Sequence, residues 1–261
     1  MLGKIMAGFF GLMIAGPLGA LIGLFIGHQF DKGLGGLLNP ISAEQQHRMG
    51  EVFFATVFSL LGYLAKSDGR ISKAEINQAE ALMARMGLPS QQRREAIKLF
   101  QSGAQPDFSL DQTMQAFVTI CGCQNNLKRS LLNYLIALAL ADGELHIAER
   151  KALQKIAAYL GFSEALFSRF LEMIMAQSQF RGSGATSAQS SATQVEAAYK
   201  ALGVSASQTD AEIKKAYRKL LSENHPDKLI GQGMPADMIK LATERTQEIR
   251  KAYELIVSSR K

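Results

Sequence analysis

The chain has 261 residues, more than one typical domain, with 29 basic and 23 acidic residues and a net charge of +6. This excess is too small and too dispersed to indicate nucleic-acid binding, and we expect no nucleic acid among the partners. The only cysteines, Cys121 and Cys123, form a Cys-Gly-Cys sequence without a second pair, which argues against a zinc site. We predict that both are reduced and buried.

The first apolar segment covers residues 5–27, which contain no charged, amide or hydroxyl side chain and lie between Lys4 and Asp31. As a helix this segment would reach about 34 Å, enough to cross the ~30 Å hydrocarbon core of a bilayer. A cleaved secretion signal has a shorter apolar region followed by a cleavage site. The sequence therefore predicts a retained transmembrane helix within residues 1–30, followed by a tether over residues 31–48.

Glycine recurs at every fourth position in this segment, at Gly19, Gly23 and Gly27. Two overlapping Gly-x-x-x-Gly repeats allow a second helix backbone to approach closely. We expect a homodimer through this face. The alternative is that the glycines only reflect the general glycine content of membrane helices.

The rest of the chain is predicted to be all-α. Apolar residues recur at helical spacing through a middle domain over residues 49–178, without any convincing alternating strand. Residues 181–193, RGSGATSAQSSAT, have almost no apolar bulk and predict a flexible linker over 179–193. A second helical module follows over residues 194–261.

The middle domain contains an internal repeat. The sequence YLAKSDGRISKAEINQAEALMARMG, which ends at Gly87, aligns without gaps with ALALADGELHIAERKALQKIAAYLG, which ends at Gly161, at a constant offset of 74 residues. Such a match predicts a duplicated helix–turn–helix unit, with both copies packed into one helical bundle.

The turn in each repeat has the acidic residues of the second half of an EF-hand loop, namely Asp68 and Glu75, then Asp142 and Glu149. The first two ligand positions hold leucine or lysine, so we interpret the turns as structural and expect no cofactor. Metal binding by these four residues, in a membrane-tethered divalent-metal sensor or interaction protein, is the alternative. The arrangement resembles the TerB-like (tellurite-resistance) helical domain, and no ligand assignment follows from that resemblance.

The C-terminal module is predicted to contain three helices. The first covers residues 195–202 and ends at Gly203, and Thr209 with Glu212 forms a capping box that opens the second. One face of the second helix is apolar, and its other face is basic through Lys214, Lys215, Arg218 and Lys219.

The second helix leads into His225, Pro226 and Asp227, where we expect the proline to end the helix and to present the histidine and the carboxylate in a loop. A third helix closes with residues 247–256. A catalytic pair of His225 and Asp227 is disfavoured because no serine or cysteine nucleophile accompanies it in a recognisable setting, and we predict that the chain is not an enzyme.

Four elements in this order resemble the J-domain of the DnaJ family: YKALGV at 199–204, the basic helix AEIKKAYRKL at 211–220, His-Pro-Asp at 225–227, and AYELI at 252–256. The resemblance implies that the basic face and His-Pro-Asp bind a DnaK-type chaperone and stimulate its ATPase. By the same resemblance, His225 and Pro226 would set the shape of the loop, and Asp227 would pair with an arginine of the chaperone.

The order of a transmembrane segment, a TerB-like domain and a J-domain resembles the DjlA family of membrane-anchored DnaJ-like proteins of Gram-negative bacteria. This resemblance implies a single-pass inner-membrane protein with a periplasmic N-terminus and cytoplasmic soluble domains. The segment after His-Pro-Asp, KLIGQGMPAD, departs from the family pattern because it is apolar and contains glycine. The client proteins do not follow from the sequence.

Overall fold

The structure is a computed structural model that describes residues 42–67, 69, 71, 73–140, 145–183 and 191–260. Every regular element within these ranges is a helix, which confirms the predicted all-α class. The helices are α1 (Ala43–Ala65), α2 (Lys73–Met86), α3 (Ser90–Gly103), α4 (Leu110–Cys121), α5 (Asn125–Ala139), α6 (Ile147–Tyr159), α7 (Glu164–Ser183), α8 (Ser191–Ala201), α9 (Asp210–Glu223), α10 (Pro226–Gly231) and α11 (Ala236–Ser259).

The internal repeat is visible in the positions of the helices. The start of α2 at Lys73 and the start of α6 at Ile147 differ by the offset found in the sequence, and α1 and α5 end at equivalent residues. Gly87 and Gly161 follow α2 and α6 with φ angles of 74° and 83°, a conformation that glycine adopts without strain. The duplicated helix–turn–helix unit is therefore present, and α1–α7 form the middle domain.

Helix α1 is the central helix of the middle domain, in contact with α3, α4, α5 and α6. Phe53, Val57 and Phe58 on α1 are fully buried. Among the described residues, α1 is also the one helix long and apolar enough to cross a membrane, but 67% of its most apolar stretch is buried inside the protein. This burial is typical of the core helix of a globular domain.

Helices α1 and α3 pack with their backbones in direct contact. A methyl group added at Gly62 would lie 1.9 Å from the Phe100 carbonyl oxygen, and one added at Gly103 would lie 1.8 Å from the Ser59 carbonyl oxygen. These positions have no room for any side chain, so glycine is required on both helices.

Helices α8–α11 form the C-terminal module. Its core joins residues of α8, α9 and α11, and the partly buried rings of Tyr217 and Tyr253 stack against it with centroids 4.0 Å apart. Gly203 follows the first helix with a φ angle of 65°, as predicted. The buried core residues are Ala198, Tyr199, Ala201, Leu202, Ile213, Ile249, Ala252 and Ile256.

Helices extend into both predicted connecting segments. Helix α7 continues to Ser183 and α8 begins at Ser191, so residues 184–190 are the part of the predicted linker outside the described residues. Helix α1 begins at Ala43, within the predicted tether. The predicted transmembrane helix, with Gly19, Gly23 and Gly27, also lies outside the described residues.

The C-terminal module packs on the middle domain, and residues Ala43–Lys261 form one compact unit. The Gln177 amide donates a hydrogen bond of 2.6 Å to the Ala201 carbonyl oxygen. Arg85 on α2 forms an ion pair of 2.5 Å with Glu244 on α11. The sequence predicted a flexible connection and gave no indication of this packing.

Candidate functional site

The basic helix α9 begins at the capping box predicted from the sequence. The Thr209 N–H donates to Glu212 Oε2 at 2.8 Å, and the Glu212 N–H donates to Thr209 Oγ1 at 3.3 Å. The hydrogen bonds from Thr209 lower the pKa of the Glu212 carboxyl. The resulting carboxylate and Asp210 lie in the first turn, where negative charge stabilises a helix.

The two faces of α9 are arranged as predicted. Ile213 is 2% exposed and Tyr217 is half-buried against α11, so the apolar face packs on the core of the module. The opposite face presents four exposed cations to solvent, Lys214, Lys215, Arg218 and Lys219.

The His-Pro-Asp sequence does not form the loop that we expected, because Pro226 begins a short helix. His225 is the N-cap of the short helix α10, and its Nδ1 accepts a hydrogen bond of 3.2 Å from the Asp227 N–H. Pro226 occupies the first turn of α10, where its fixed φ angle suits a helix and its missing N–H costs nothing. The proline therefore ends α9 and also begins the next helix, which gives a tight corner between the two.

Two side chains contact the backbone or side chains on either side of this corner. The Thr246 hydroxyl on α11 donates to the Ala242 carbonyl oxygen of its own helix at 2.9 Å and also lies 3.2 Å from the Asn224 carbonyl oxygen. Lys228 Nζ donates to Ser222 Oγ at 3.2 Å. The Leu229 side chain is 0% exposed and anchors α10 in the core. Thr246 was not predicted from the sequence, although a threonine between Ala242 and Ile249 in an apolar helical stripe was a usable signal.

The side chains of His225 and Asp227 are exposed, and Pro226 is half-buried. The site therefore presents a row of cations followed by a carboxylate on a rigid corner. This arrangement complements a surface that is acidic along one edge and offers an arginine at its end, because arginine binds carboxylates through paired hydrogen bonds.

Arg260, near the C-terminal end of the module, forms hydrogen bonds with four other residues. Its guanidinium donates to the Tyr199 hydroxyl at 2.6 Å and to Asp210 Oδ1 at 2.7 Å. It also donates to the carbonyl oxygens of Gln208 at 2.9 Å and Ala206 at 2.6 Å. Arg260 thus joins the end of α11 to α8 and to the start of α9, and this network helps to fix the orientation of the basic helix.

The acidic turns of the middle domain are only partly described. Glu149 is buried, and its Oε2 accepts a hydrogen bond of 3.0 Å from the His146 N–H at the start of α6, which is a capping role. Asp68, Asp142 and the side chain of Glu75 lie outside the described residues. Within the described part of the chain, no group of three histidine, cysteine, aspartate or glutamate residues could hold a metal ion.

The two cysteines differ in their surroundings. Cys121 is buried at the end of α4, and burial raises the pKa of its thiol to about 12, so it is an unreactive core residue. Cys123 is exposed. The prediction of two buried cysteines was therefore wrong for Cys123, because the chain leaves α4 at Gly122 and turns outward before α5 begins.

Three protein-family models match the chain. Residues 1–37 match the co-chaperone DjlA transmembrane domain, residues 55–172 match the tellurite resistance protein TerB, and residues 197–261 match the DnaJ domain. The last match includes the basic helix and the corner described above. No solved structure matches the chain at a significant level.

Similar proteins cover nearly the whole chain. The co-chaperone protein DjlA of Coxiella burnetii is 40% identical over 260 residues, which is 98% of this chain and 96% of that protein. The DjlA of Yersinia pseudotuberculosis is 39% identical over 97% of this chain and 96% of its own length. The DjlA of Escherichia coli O157:H7 is 40% identical over 94% of this chain and 92% of its own length.

Proposed function

Because this chain belongs to the DjlA family of co-chaperones, we propose that its J-domain binds a DnaK-type chaperone and stimulates the ATPase of that chaperone at the inner membrane. The observation that supports this most is the joint exposure of the basic face of α9 and of Asp227 on the corner that follows it. The ATPase belongs to the chaperone, and this chain acts on it as a regulator.

The two parts of the site have different roles in this proposal. The basic face of α9 attracts an acidic surface of the chaperone and orients the encounter, which mainly affects the association rate. Asp227 pairs with an arginine of the chaperone and disturbs its interdomain contacts. His225 and Pro226 fix the corner that places Asp227.

The direct test is the ATPase rate of a DnaK-type chaperone with increasing amounts of the full-length protein in lipid nanodiscs. Replacing the four cations of the basic face with glutamine should raise the half-maximal concentration on the order of tenfold and reduce its salt dependence, because steering by charge is lost. The substitutions are Lys214→Gln, Lys215→Gln, Arg218→Gln and Lys219→Gln.

A matched control removes the same amount of charge from exposed positions on α3 and α6 of the middle domain. This control should leave the half-maximal concentration unchanged. An equal rise in the half-maximal concentration for both variants would show that only the total charge of the protein matters. If the unaltered protein does not stimulate the ATPase at all, the proposed function is contradicted. The control substitutions are Lys98→Gln, Arg150→Gln, Lys151→Gln and Lys155→Gln.

The matched transmembrane domain associates the chain with the membrane. We propose that residues 1–30 form the single anchor, with the N-terminus in the periplasm and the soluble domains in the cytoplasm, where a DnaK-type chaperone and ATP are present. In this arrangement the middle domain contributes to the selection of clients at the membrane surface.

We further propose that the anchor forms a homodimer through Gly19, Gly23 and Gly27. Gly19→Ile combined with Gly23→Ile should weaken self-association in membranes, because the added side chains keep the two backbones apart. Energy transfer between labelled protomers in vesicles measures this, with Leu21→Phe, on the opposite helix face, as the control. Equal energy transfer in all three proteins would contradict a glycine interface.

A further inference from the structure

An ion pair between the two modules lies next to the His-Pro-Asp corner. Arg129 on α5 of the middle domain donates to the carboxylate of Glu223, the last residue of α9. The Glu223 side chain is only 18% exposed, and Glu223 precedes His225 by two residues. The middle domain therefore contacts the chain immediately before the corner.

The position of Glu223 makes this ion pair important for the end of α9. The C-terminal end of a helix carries partial negative charge, so a carboxylate in the last turn destabilises it and a cation stabilises it. Helix α9 has no basic residue in its own last turn. Lys228 contacts this end only through the Ser222 hydroxyl, whereas Arg129 of the middle domain contacts the Glu223 carboxylate itself. The end of α9 therefore depends in part on the packing of the two modules.

The middle domain also holds the segment that follows the corner. Met234 and Met238 are buried, at 4% and 0% exposure, and the buried Tyr134 hydroxyl on α5 donates to the Met238 carbonyl oxygen at 3.3 Å. A methyl group added at Gly233 would lie 2.7 Å from the Met49 Cβ of α1. Gly233 and Met234 belong to the apolar segment that departs from the family pattern in the sequence, and this segment is one of the contacts between the modules.

The same packing leaves the proposed chaperone-binding face open, because the four cations of α9, His225 and Asp227 remain exposed while Glu223 and residues 233–234 are covered. We propose that Arg129 is a positioning residue for the His-Pro-Asp corner, and that the middle domain acts within the chain to hold this corner in its active shape. This inference rests on the proposed function of the corner.

A charge swap tests the role of Arg129 in the full-length protein in nanodiscs. Arg129→Glu alone should lower the maximal stimulation of the chaperone ATPase about fivefold, a typical size for coupling between contacting charges. Glu223→Arg alone should lower it less, because the new arginine faces Arg129 but also places a cation at the end of α9. The double variant, with the charges exchanged, should recover stimulation to within about twofold of the unaltered protein. Failure of the double variant to recover would overturn the assignment.

Amide hydrogen exchange of residues 220–229, measured without any chaperone, gives a second readout. Exchange should be fastest in Arg129→Glu, less affected in Glu223→Arg, and close to the original rate in the double variant. Arg85→Glu, which breaks the ion pair between α2 and α11, is the control and should leave these amides unchanged. If exchange follows this pattern but neither the unaltered protein nor any variant stimulates the ATPase, the proposed function is contradicted and the positioning role of Arg129 is supported. If exchange is unchanged in Arg129→Glu, the positioning role is refuted.

Discussion

Asp227→Asn should abolish the stimulation of a DnaK-type chaperone, with a loss of at least about tenfold, while the fold of the protein is unchanged. The Asp227 side chain is exposed, and the hydrogen bond that shapes the corner comes from its backbone N–H, which asparagine retains. Only the charge is removed, so any loss of activity reports on the pairing with a cation of the chaperone. The expected change in stability is within about 1 kcal/mol, the usual size of helix-end charge effects.

The matched control for this variant is Asp237→Asn, which makes the same chemical change in the first turn of α11. It should retain full stimulation. His225→Gln gives a useful contrast, because it removes the Nδ1 acceptor and should both reduce stimulation and speed amide exchange at Asp227. Full activity of Asp227→Asn, with the control equally active, would show that this carboxylate is not part of the site.

Gly62→Ala should destabilise the middle domain by about 3 kcal/mol or more, at the upper end of the range for overpacked cores. The added methyl group would lie 1.9 Å from the Phe100 carbonyl oxygen, a backbone atom that cannot move without shifting α3. Gly103→Ala meets the Ser59 carbonyl oxygen in the same way and should have a similar effect. In thermal unfolding, Tm should fall by about 6–12 °C for a domain of this size.

Gly231→Ala provides the control, since a methyl group at that position has no neighbouring atom within 4 Å and the φ angle is not positive. Its Tm should stay within about 2 °C of the unaltered protein, as for most surface substitutions. If Gly62→Ala unfolds at the same temperature as this control, the close backbone contact between α1 and α3 is incorrect.

The features predicted correctly from the sequence are those encoded locally. The repeat was found because Gly87 and Gly161 close two similar segments at a constant offset, and the helices follow that offset. The capping box of Thr209 and Glu212 and the two faces of α9 depend on residues within one or two turns of each other. Such patterns are readable without knowledge of the tertiary contacts.

The shape of the corner was predicted less well, for a local reason. Proline interrupts a helix that precedes it but is also favoured in the first turn of a new one, and the sequence alone did not separate these two cases. The structure shows the second, with His225 as the N-cap of α10.

The packing of the two modules was not predicted because its contacts join residues that are far apart in the chain. Arg129 and Glu223 are each ordinary surface residues by sequence, and nothing in either segment indicates the other. The apolar character of the segment around Met234 was the one feature of the sequence that could have indicated a buried contact there. The partner of this segment on α5, Tyr134, becomes recognisable only once the fold is known.

The buried side chains of Met234 and Met238 limit how the C-terminal module can be transferred to another protein. A chimera that received residues 191–260 alone would carry Met234 and Met238 without Tyr134 of α5 and Met49 of α1, which contact this segment, and exposed apolar patches of this kind promote self-association. The transferable unit in this chain is the whole of Ala43–Lys261, and exchanges between relatives should keep α5 together with the segment it covers.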